Sequence, residues 1–531
     1  MAQITIRERD LTGNPASAVF DVAFVPGLTV EDLEALDDNG NKKSMYEYGK
    51  PYYFNSLSQF QSAMGTEPVL LKGEGVTANI NGETDMTFFA EGPGVFDNGY
   101  IYAAELLMRG MPIYYLPIKG DTAQAVYDAL EGTSSSSSSD EDDTAIVGDA
   151  TVGDATVGSD DDSSDGESGS DEQEQQEEVK SVLLQLVDRG TFNVKYITSG
   201  GYPTFEYHGN SIVSLMLQVA GANTDEVPTT DDYEDDPTSK NPNGRGDCVA
   251  LIDHFEVDDR PLAGDNSVYG RVQKDLAGQA YLSFGAMFTP YANYALQRSY
   301  IYTVVENEGT EDEYEKKVAA STHYFPGSFA YMCCLANQLN GVLPSYEAVA
   351  GVARGSVKNI VFNSTTNSYE VCTKDIITNY IANHYNSMPE ADGKAPISIN
   401  AITQINPYGM VIWGTRTLAR KDPVFGVKAT GILNIRNMVS DIKKQMYQSA
   451  RRYMYAANND ALWINFRSSV VGLLNQLQQG YGIKSYSLKK DMAKSTKYSL
   501  YVLCSIQPVY PVEKFDITIE ITDEDIEVNE A

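Results

Sequence analysis

A chain of 531 residues, 42% hydrophobic and carrying 35 Tyr and 18 Phe, holds enough apolar material for about three or four domains. Its formal net charge of -35 excludes an ordinary nucleic-acid binder, which phosphates would repel, and argues against docking on anionic lipid. Five Cys, odd in number and without CxxC spacing, indicate neither a disulfide framework nor a zinc site, and no run of 18 apolar residues predicts a membrane span.

Residues 1–20 lack strong helical periodicity and are expected to be an N-terminal arm. They contain no apolar core of signal-peptide length, so the protein is expected to stay in the cytosol of the cell that makes it. The apolar run Val19–Val25 predicts a strand ending at a Pro26-Gly27 turn. A Tyr-rich segment from Tyr46 to Phe54, a short helix from Ser58 to Met64, a helix from Ile101 to Arg109 and a strand from Pro112 to Ile118 follow. That succession reads as an α/β unit, taken as the first part of a core at 21–132. From 133 to 178 the chain holds 16 Asp or Glu, no Lys or Arg, and the repeat Val147-Gly-Asp-Ala-Thr-Val-Gly-Asp-Ala-Thr-Val-Gly158. Such a segment cannot bury enough surface to offset an ordering entropy of about 1–2 kcal/mol per residue, and it is expected to be an exposed acidic loop.

Order returns with Val179, Val182, Leu183 and Leu186 on one helical face. Between 179 and 330, short apolar runs (Ile212–Val219, Val249–Ile252, Ala280–Phe288, Tyr300–Val305) alternate with polar loops, which suggests an inserted outer α+β domain. Residues 331–405, with the runs Phe329–Leu339 and Ala348–Ala353 and the segment Asp375–Tyr385, lead back to the core. Residues 406–511 are the most regular. A buried strand is expected from Pro407 to Leu418. After Gly431, Ile432, Ile435, Met438, Ile442, Met446 and Ala450 recur at helical spacing, with Arg436, Lys443, Lys444, Arg451 and Arg452 mainly between them, so an amphipathic helix with a basic outer face is predicted. Asn458-Asn459-Asp460 caps a second helix striped by Trp463, Phe466, Val470, Leu474 and Leu477 and ended by Gly480. Two such helices need a sheet to cover, and a strand is predicted from Tyr498 to Ile506. Beyond Pro508 and Pro511, in the arm 512–531, Phe515, Ile517, Ile519 and Ile521 alternate with Asp516, Thr518, Glu520 and Thr522 as in a half-buried strand.

Charge is divided between these parts. From Asn406 to Leu503 there are 15 Lys or Arg against 4 Asp or Glu, or +11, whereas Cys504 to Ala531 holds 8 acids and one base, or -7. A basic domain followed by an acidic arm invites pairing of one copy with another. Catalytic or metal chemistry finds little local support. His208, His254, His323 and His384 have no ligand partners at a recurrent spacing, and no GxxxxGK[ST], GxGxxG or GxSxG occurs. No catalytic, cofactor or metal site is expected. Asp161-x-Ser163-x-Asp165-Gly166 with Glu172 meets a calcium-loop template loosely, but chance matches are expected in so Asp- and Ser-rich a stretch. Arg245-Gly246-Asp247 matches a cell-attachment tripeptide in what reads as an exposed Asn/Pro/Gly loop.

The order Asn406-Pro-Tyr-Gly409, Ile412-Trp-Gly-Thr-Arg-Thr-Leu418, Arg452-Tyr-Met-Tyr-Ala-Ala-Asn458-Asn-Asp-Ala-Leu-Trp463 and Ile506-Gln-Pro-Val-Tyr-Pro511 resembles the C-terminal domain of bacteriophage contractile-tail sheath proteins. Upstream, Tyr346-Glu-Ala-Val-Ala-Gly-Val-Ala-Arg354-Gly and Asn55-Ser-Leu-Ser-Gln-Phe60 with Gly65 resemble further segments of that family. The likeness covers roughly 20–120 and 325–522, and its one departure is Tyr455-Ala-Ala-Asn458 where the family has Phe-Glu-Pro-Asn. The resemblance implies a multidomain α/β and α+β fold in which a C-terminal sheath core carries the outer insertion and extended terminal arms. It implies a non-enzymatic subunit, without cofactor, that polymerises with itself as stacked hexameric rings around a tail tube and contracts. Tube, baseplate and tail terminator proteins would be its partners in a virion tail assembled in the host cytoplasm. The basic helix would face the tube, and the terminal strand would be exchanged between subunits. The alternative is a virion surface adhesin or carbohydrate-active tail component, resting on the Tyr-rich middle, the Ser/Asp loop and Arg245-Gly246-Asp247.

Overall fold

The computed structural model describes residues 21–36, 42–71, 77–79, 85–87, 96–132, 181–202, 206–207, 210–221, 244–253, 280–289, 291–306, 314–341, 343–371, 398–419 and 429–512. The expected N-terminal arm, the acidic loop with its calcium-like motif, the segment Asp375–Tyr385, three of the four His and the alternating strand with Phe515, Ile517, Ile519 and Ile521 lie outside the described residues.

The body is built on strands β1 (Ala23–Leu28), β2 (Tyr52–Phe54), β3 (Ile113–Ile118), β4 (Tyr196–Ile197), β5 (Val249–Asp253), β6 (Gly285–Thr289), β9 (Ile399–Ile405) and β10 (Gly409–Trp413), the last two following a long hairpin of β7 (Ala292–Glu306) and β8 (Tyr314–Phe325). The sheet order is β10-β9-β6-β5-β4-β1-β3-β2; the six inner strands are parallel, and β2 and β10 are antiparallel edges. Parallel strands must be covered on both faces, which explains why they are apolar at nearly every position. Phe24, Leu116, Ile197, Ile252 and Met287 point into one core, and Val25, Tyr115, Tyr196, Leu251 and Phe288 into the other. Helices α1 (Leu57–Met64), α2 (Asn98–Met108) and α5 (Gly327–Asn340) cover the second face, and α3 (Ala123–Glu131), α4 (Ile212–Ala220) and a 3-10 turn at Val182–Val187 cover the first.

This arrangement corrects two expectations. The segment 179–330 supplies β4, β5 and β6 to the middle of the sheet and so is not an outer insertion as a whole; among the described residues there, the β7–β8 hairpin and the short pair Glu206–Tyr207 with Asn210–Ser211 are separate two-stranded sheets. Strand β1 does not stop at Pro26-Gly27 either, since both residues pair with β3 opposite Leu116 and Pro117. Backbone groups of Val22 and Phe24 face β4, whereas Pro26 follows in the same phase beyond the end of β4, where a missing N–H forfeits no ladder bond.

The C-terminal module is α+β: α6 (Leu433–Arg452), α7 (Asp460–Gln479) and an antiparallel pair, β11 (Ile483–Lys490) and β12 (Val502–Pro508). It has its own core of Ile435, Met438, Ile442, Phe466, Val470, Leu474 and Leu477, closed by Leu488, Cys504 and Ile506 from the strands. The Asn459 side chain accepts from Leu462 N at 3.0 Å, which fixes the start of α7. Strand β11 was missed from sequence because its polar residues hide the alternation, and the predicted strand at Tyr498 begins only at Val502.

Two buried carboxyls in the body titrate late. Burial lifts Asp97 to about 6 and Asp253 to about 7, against the opposing hydrogen bonds from Tyr202 to the first and from Ser328 to the second. A carboxyl whose folded pKa is raised contributes most below its unfolded value near 4 and loses that contribution as pH rises through the folded value. The melting temperature should therefore fall between pH 5 and pH 8, and less steeply in Asp253→Asn, which keeps an acceptor for Ser328. Equal slopes in calorimetry would show that Asp253 is ionised throughout this range.

Candidate functional site

In doubly wound sheets the ligand crevice lies beyond the carboxyl ends of the strands. Here that place is filled from within. At the end of β1, Asp97 caps α2 and accepts from Leu28 N at 3.0 Å, Tyr100 N at 2.6 Å, Gly99 N at 3.2 Å and the Tyr202 hydroxyl. A Cβ at Gly99 or Gly200 would come within 2.0 or 2.2 Å of Pro26 O, so α2 and the turn after β4 are seated on backbone. The Asp97 carboxylate is spent on structure. His323 lies against Asn98, and burial lowers it to about 4, which holds it neutral. Among the described residues no three His, Cys, Asp or Glu gather as metal ligands, and no helix is long and apolar enough to cross a membrane.

The chemistry of interest is at the junction between body and C-terminal module. Lys195, fully buried on the strand side of the body, donates to Asp21 Oδ1 at 2.7 Å, Asp441 Oδ1 at 2.6 Å and Ser345 Oγ at 2.7 Å. Burial alone would depress its pKa, but Asp21 and Asp441 outweigh that and raise it. Asp441 itself is pushed up to about 6, chiefly by burial. Four segments distant in sequence are thus joined through one ammonium: Asp21 at the start of the described chain, Lys195 just before β4, Ser345, and Asp441 on helix α6.

One helical turn further along α6, Lys444 donates to Val194 O at 2.6 Å, Asn193 Oδ1 at 3.1 Å and Asp247 Oδ2 at 3.4 Å. Asp247 also receives Arg245 Nε at 3.0 Å, and Lys444 and Arg245 hold its carboxyl below the usual range despite burial. At the start of α6, Arg436 donates to Ser283 O and Oγ at 3.1 and 2.8 Å, with its guanidinium 4.1 Å over the Phe284 ring.

The basic outer face predicted for this helix is therefore corrected. Arg436 and Lys444 are 1% and 2% exposed and belong to the junction; Lys443 is half-buried over Phe284; Arg451 and Arg452, in the last turn, are exposed. Periodicity shows which positions leave the apolar stripe but not whether a second, polar contact lies there. Arg245-Gly246-Asp247 is likewise not an exposed loop: Arg245 is 1% exposed and also donates to Leu186 O.

Two surfaces of the module are left open. Strands β11 and β12 pair only with each other among the described residues, so each presents one unpaired backbone edge. Large apolar side chains are exposed around them, including Tyr481 (82%), Met492 (72%), Tyr498 (86%) and Val512 (69%), more than a solvated surface needs.

Lys195→Met should cost about 3–5 kcal/mol, because Asp21 and Asp441 are left buried without their ammonium partner, and Lys444→Met should cost somewhat less, because Asp247 keeps Arg245. Arg452→Ala should cost at most about 1 kcal/mol. Chemical denaturation checks both, and a loss under 1 kcal/mol in the lysine variants would mean that water reaches the junction.

Residues 429–522 match the family model of the phage tail sheath C-terminal domain. No curated protein matches the chain. Among solved structures, the chain is similar to one from a sheath complex of the extracellular contractile injection system PVC in its contracted state (12% identity, TM-score 0.45, covering 99% of this chain and 98% of that one). It is also similar to one from the contracted baseplate of the anti-feeding prophage (13% identity, TM-score 0.49, 99% and 98%) and to a sheath tail protein of Desulfitobacterium hafniense (9% identity, TM-score 0.37, 96% and 100%).

Proposed function

We propose that this chain, which carries the C-terminal domain of the phage tail sheath family, is a structural subunit that polymerises with itself as stacked hexameric rings around a tail tube. Contraction of that lattice drives the tube through a target envelope during genome delivery. Work comes from the free-energy difference between an extended and a contracted lattice, so no catalysis is required of the subunit. Its partners are its own copies, the tube protein, and baseplate and terminator proteins; its place is the virion tail, assembled in the host cytoplasm.

The observation that carries the reading, beside the family match, is the pair β11 and β12 with two free edges at the point where the chain continues into Phe515, Ile517, Ile519 and Ile521. A strand with that alternation, added to a neighbour's edge, buries apolar side chains worth roughly 1.5–3 kcal/mol each, and ladder hydrogen bonds add about 0.5–1.5 apiece. Exposed carboxylates add at most about 1 each. The adhesin alternative loses one of its three supports, since Arg245 and Asp247 are tied into the junction.

Truncation before Lys514 should give folded, soluble subunits that form no tubes in negative-stain images, and Ile517→Asp with Ile519→Asp should do nearly the same. Normal tubes from the truncated chain would end the arm-exchange reading. Arg451→Glu with Arg452→Glu should weaken co-assembly with the tube protein at low salt while leaving the subunit's melting temperature within a few degrees. Unchanged binding would make the exposed end of α6 a solvated surface.

A further inference from the structure

The turn that joins β11 to β12 concentrates charge of one sign. Lys489, Lys490, Lys494 and Lys497 lie on it or at its root, three of them exposed and Lys490 half-buried. Lys494 and Lys497 are held 4.8 and 4.7 Å over the rings of Tyr501 and Tyr498, which fixes where their ammonium groups stand. The turn's one carboxylate, Asp491, accepts from Ala493 N at 2.9 Å and Lys494 N at 3.2 Å, so it is engaged in shaping the turn. None of the four lysines forms an ion pair with a described residue. Repulsion among them is sustained only where water or an acidic partner occupies the site.

We propose that this lysine turn is the receptor for the acidic tip Asp523-Glu524-Asp525-Ile526-Glu527 of a neighbouring copy, an assignment that rests on the arm-exchange reading above. Length and direction select this segment. Val509 N is bonded to Gly482 O, so the chain leaves the hairpin at the end opposite the Lys490–Val502 pair. Strand β12 has 7 residues, or about 23 Å at 3.3 Å per residue, and the eight residues Phe515 to Thr522 span about 26 Å. An arm laid antiparallel to β12 from its Pro508 end therefore delivers residues 523–527 to the lysines. Laid parallel, it would bring them to the Gly482 end, where no such cluster stands. The apolar face of the arm supplies most of the affinity, and the charge pairing sets its direction and speeds capture.

The test uses the full chain and reads assembly by light scattering and microscopy. Lys490→Glu, Lys494→Glu and Lys497→Glu together should slow tube formation about tenfold at low salt, as should Asp523→Lys, Glu524→Lys and Asp525→Lys together. Both defects should vanish in 1 M NaCl, where the Debye length is about 3 Å. A mixture of the two variants should assemble at nearly the wild-type rate, because each then meets a complementary partner in the other chain. Lys→Gln at the three positions, a milder change, should give a smaller defect of the same kind if the Glu variant folds poorly. Lysine variants that assemble normally while the truncation before Lys514 does not would overturn the docking and leave arm exchange standing. Rescue in one doubly reversed chain but not in the mixture would show that the tip folds back on its own subunit, which also overturns it. A slow lysine variant that no tail reversal rescues would assign the turn to a different acidic partner.

Discussion

The arrangement of this molecule depends on where one ammonium group goes. An unpaired charge of that kind costs several kcal/mol to take out of water, so Lys195 can stay buried only while Asp21 and Asp441 both reach it. Those two carboxylates come from opposite ends of the chain, |i−j| values of 174 and 246 from the lysine. Separating the C-terminal module from the body would leave Asp441 without its ammonium partner and Lys195 with Asp21 alone. Arg436 and Lys444 repeat the constraint at either side along α6, each anchored to body backbone carbonyls. Ionic contacts of this sort are directional, so they fix orientation more than they add net stability. These contacts tie the module to the body at three points along α6.

The crevice at the carboxyl ends of β1 and β4, a frequent ligand site in this class of fold, is filled by the Asp97 cap, Tyr202 and the close approach of Gly99 and Gly200 to Pro26. Asp97, Thr198, Ser199 and Tyr202, the polar side chains described there, are hydrogen-bonded within the fold. Cys248, Cys333 and Cys334 are buried, and burial lifts their thiols to about 11, 12 and 12, far from the thiolate that reactivity requires.

What remains open is concentrated in the last described stretch of chain. The two-stranded β11–β12 sheet is too small to be stable without the helices beneath it, yet among the described residues nothing pairs with either of its edges. Among the described residues, unpaired edges, exposed Tyr and Met side chains and the lysine turn come together on this small module; the main sheet of the body ends in the short antiparallel strands β2 and β10, and its β7–β8 ribbon is two-stranded as well.

Sequence alone determined whatever depends on neighbours within a few residues. Helices α6 and α7, the Asn459 cap and strands β1 and β3 were legible because periodicity and capping are local. So was the division of charge between an acidic chain and a basic C-terminal stretch. Tertiary structure decided the rest. Strand β4 is two residues long and carries no periodic signal; its place in the sheet exists only through parallel partners tens of residues away. Whether Lys444 faces water or Asp247 is a question about residues 197 apart, and a helical wheel is silent on it. Arg245 and Asp247 read as a surface tripeptide for the same reason: polar residues predict exposure by default, and only a partner supplied by the fold, here Lys444, makes burying them tolerable.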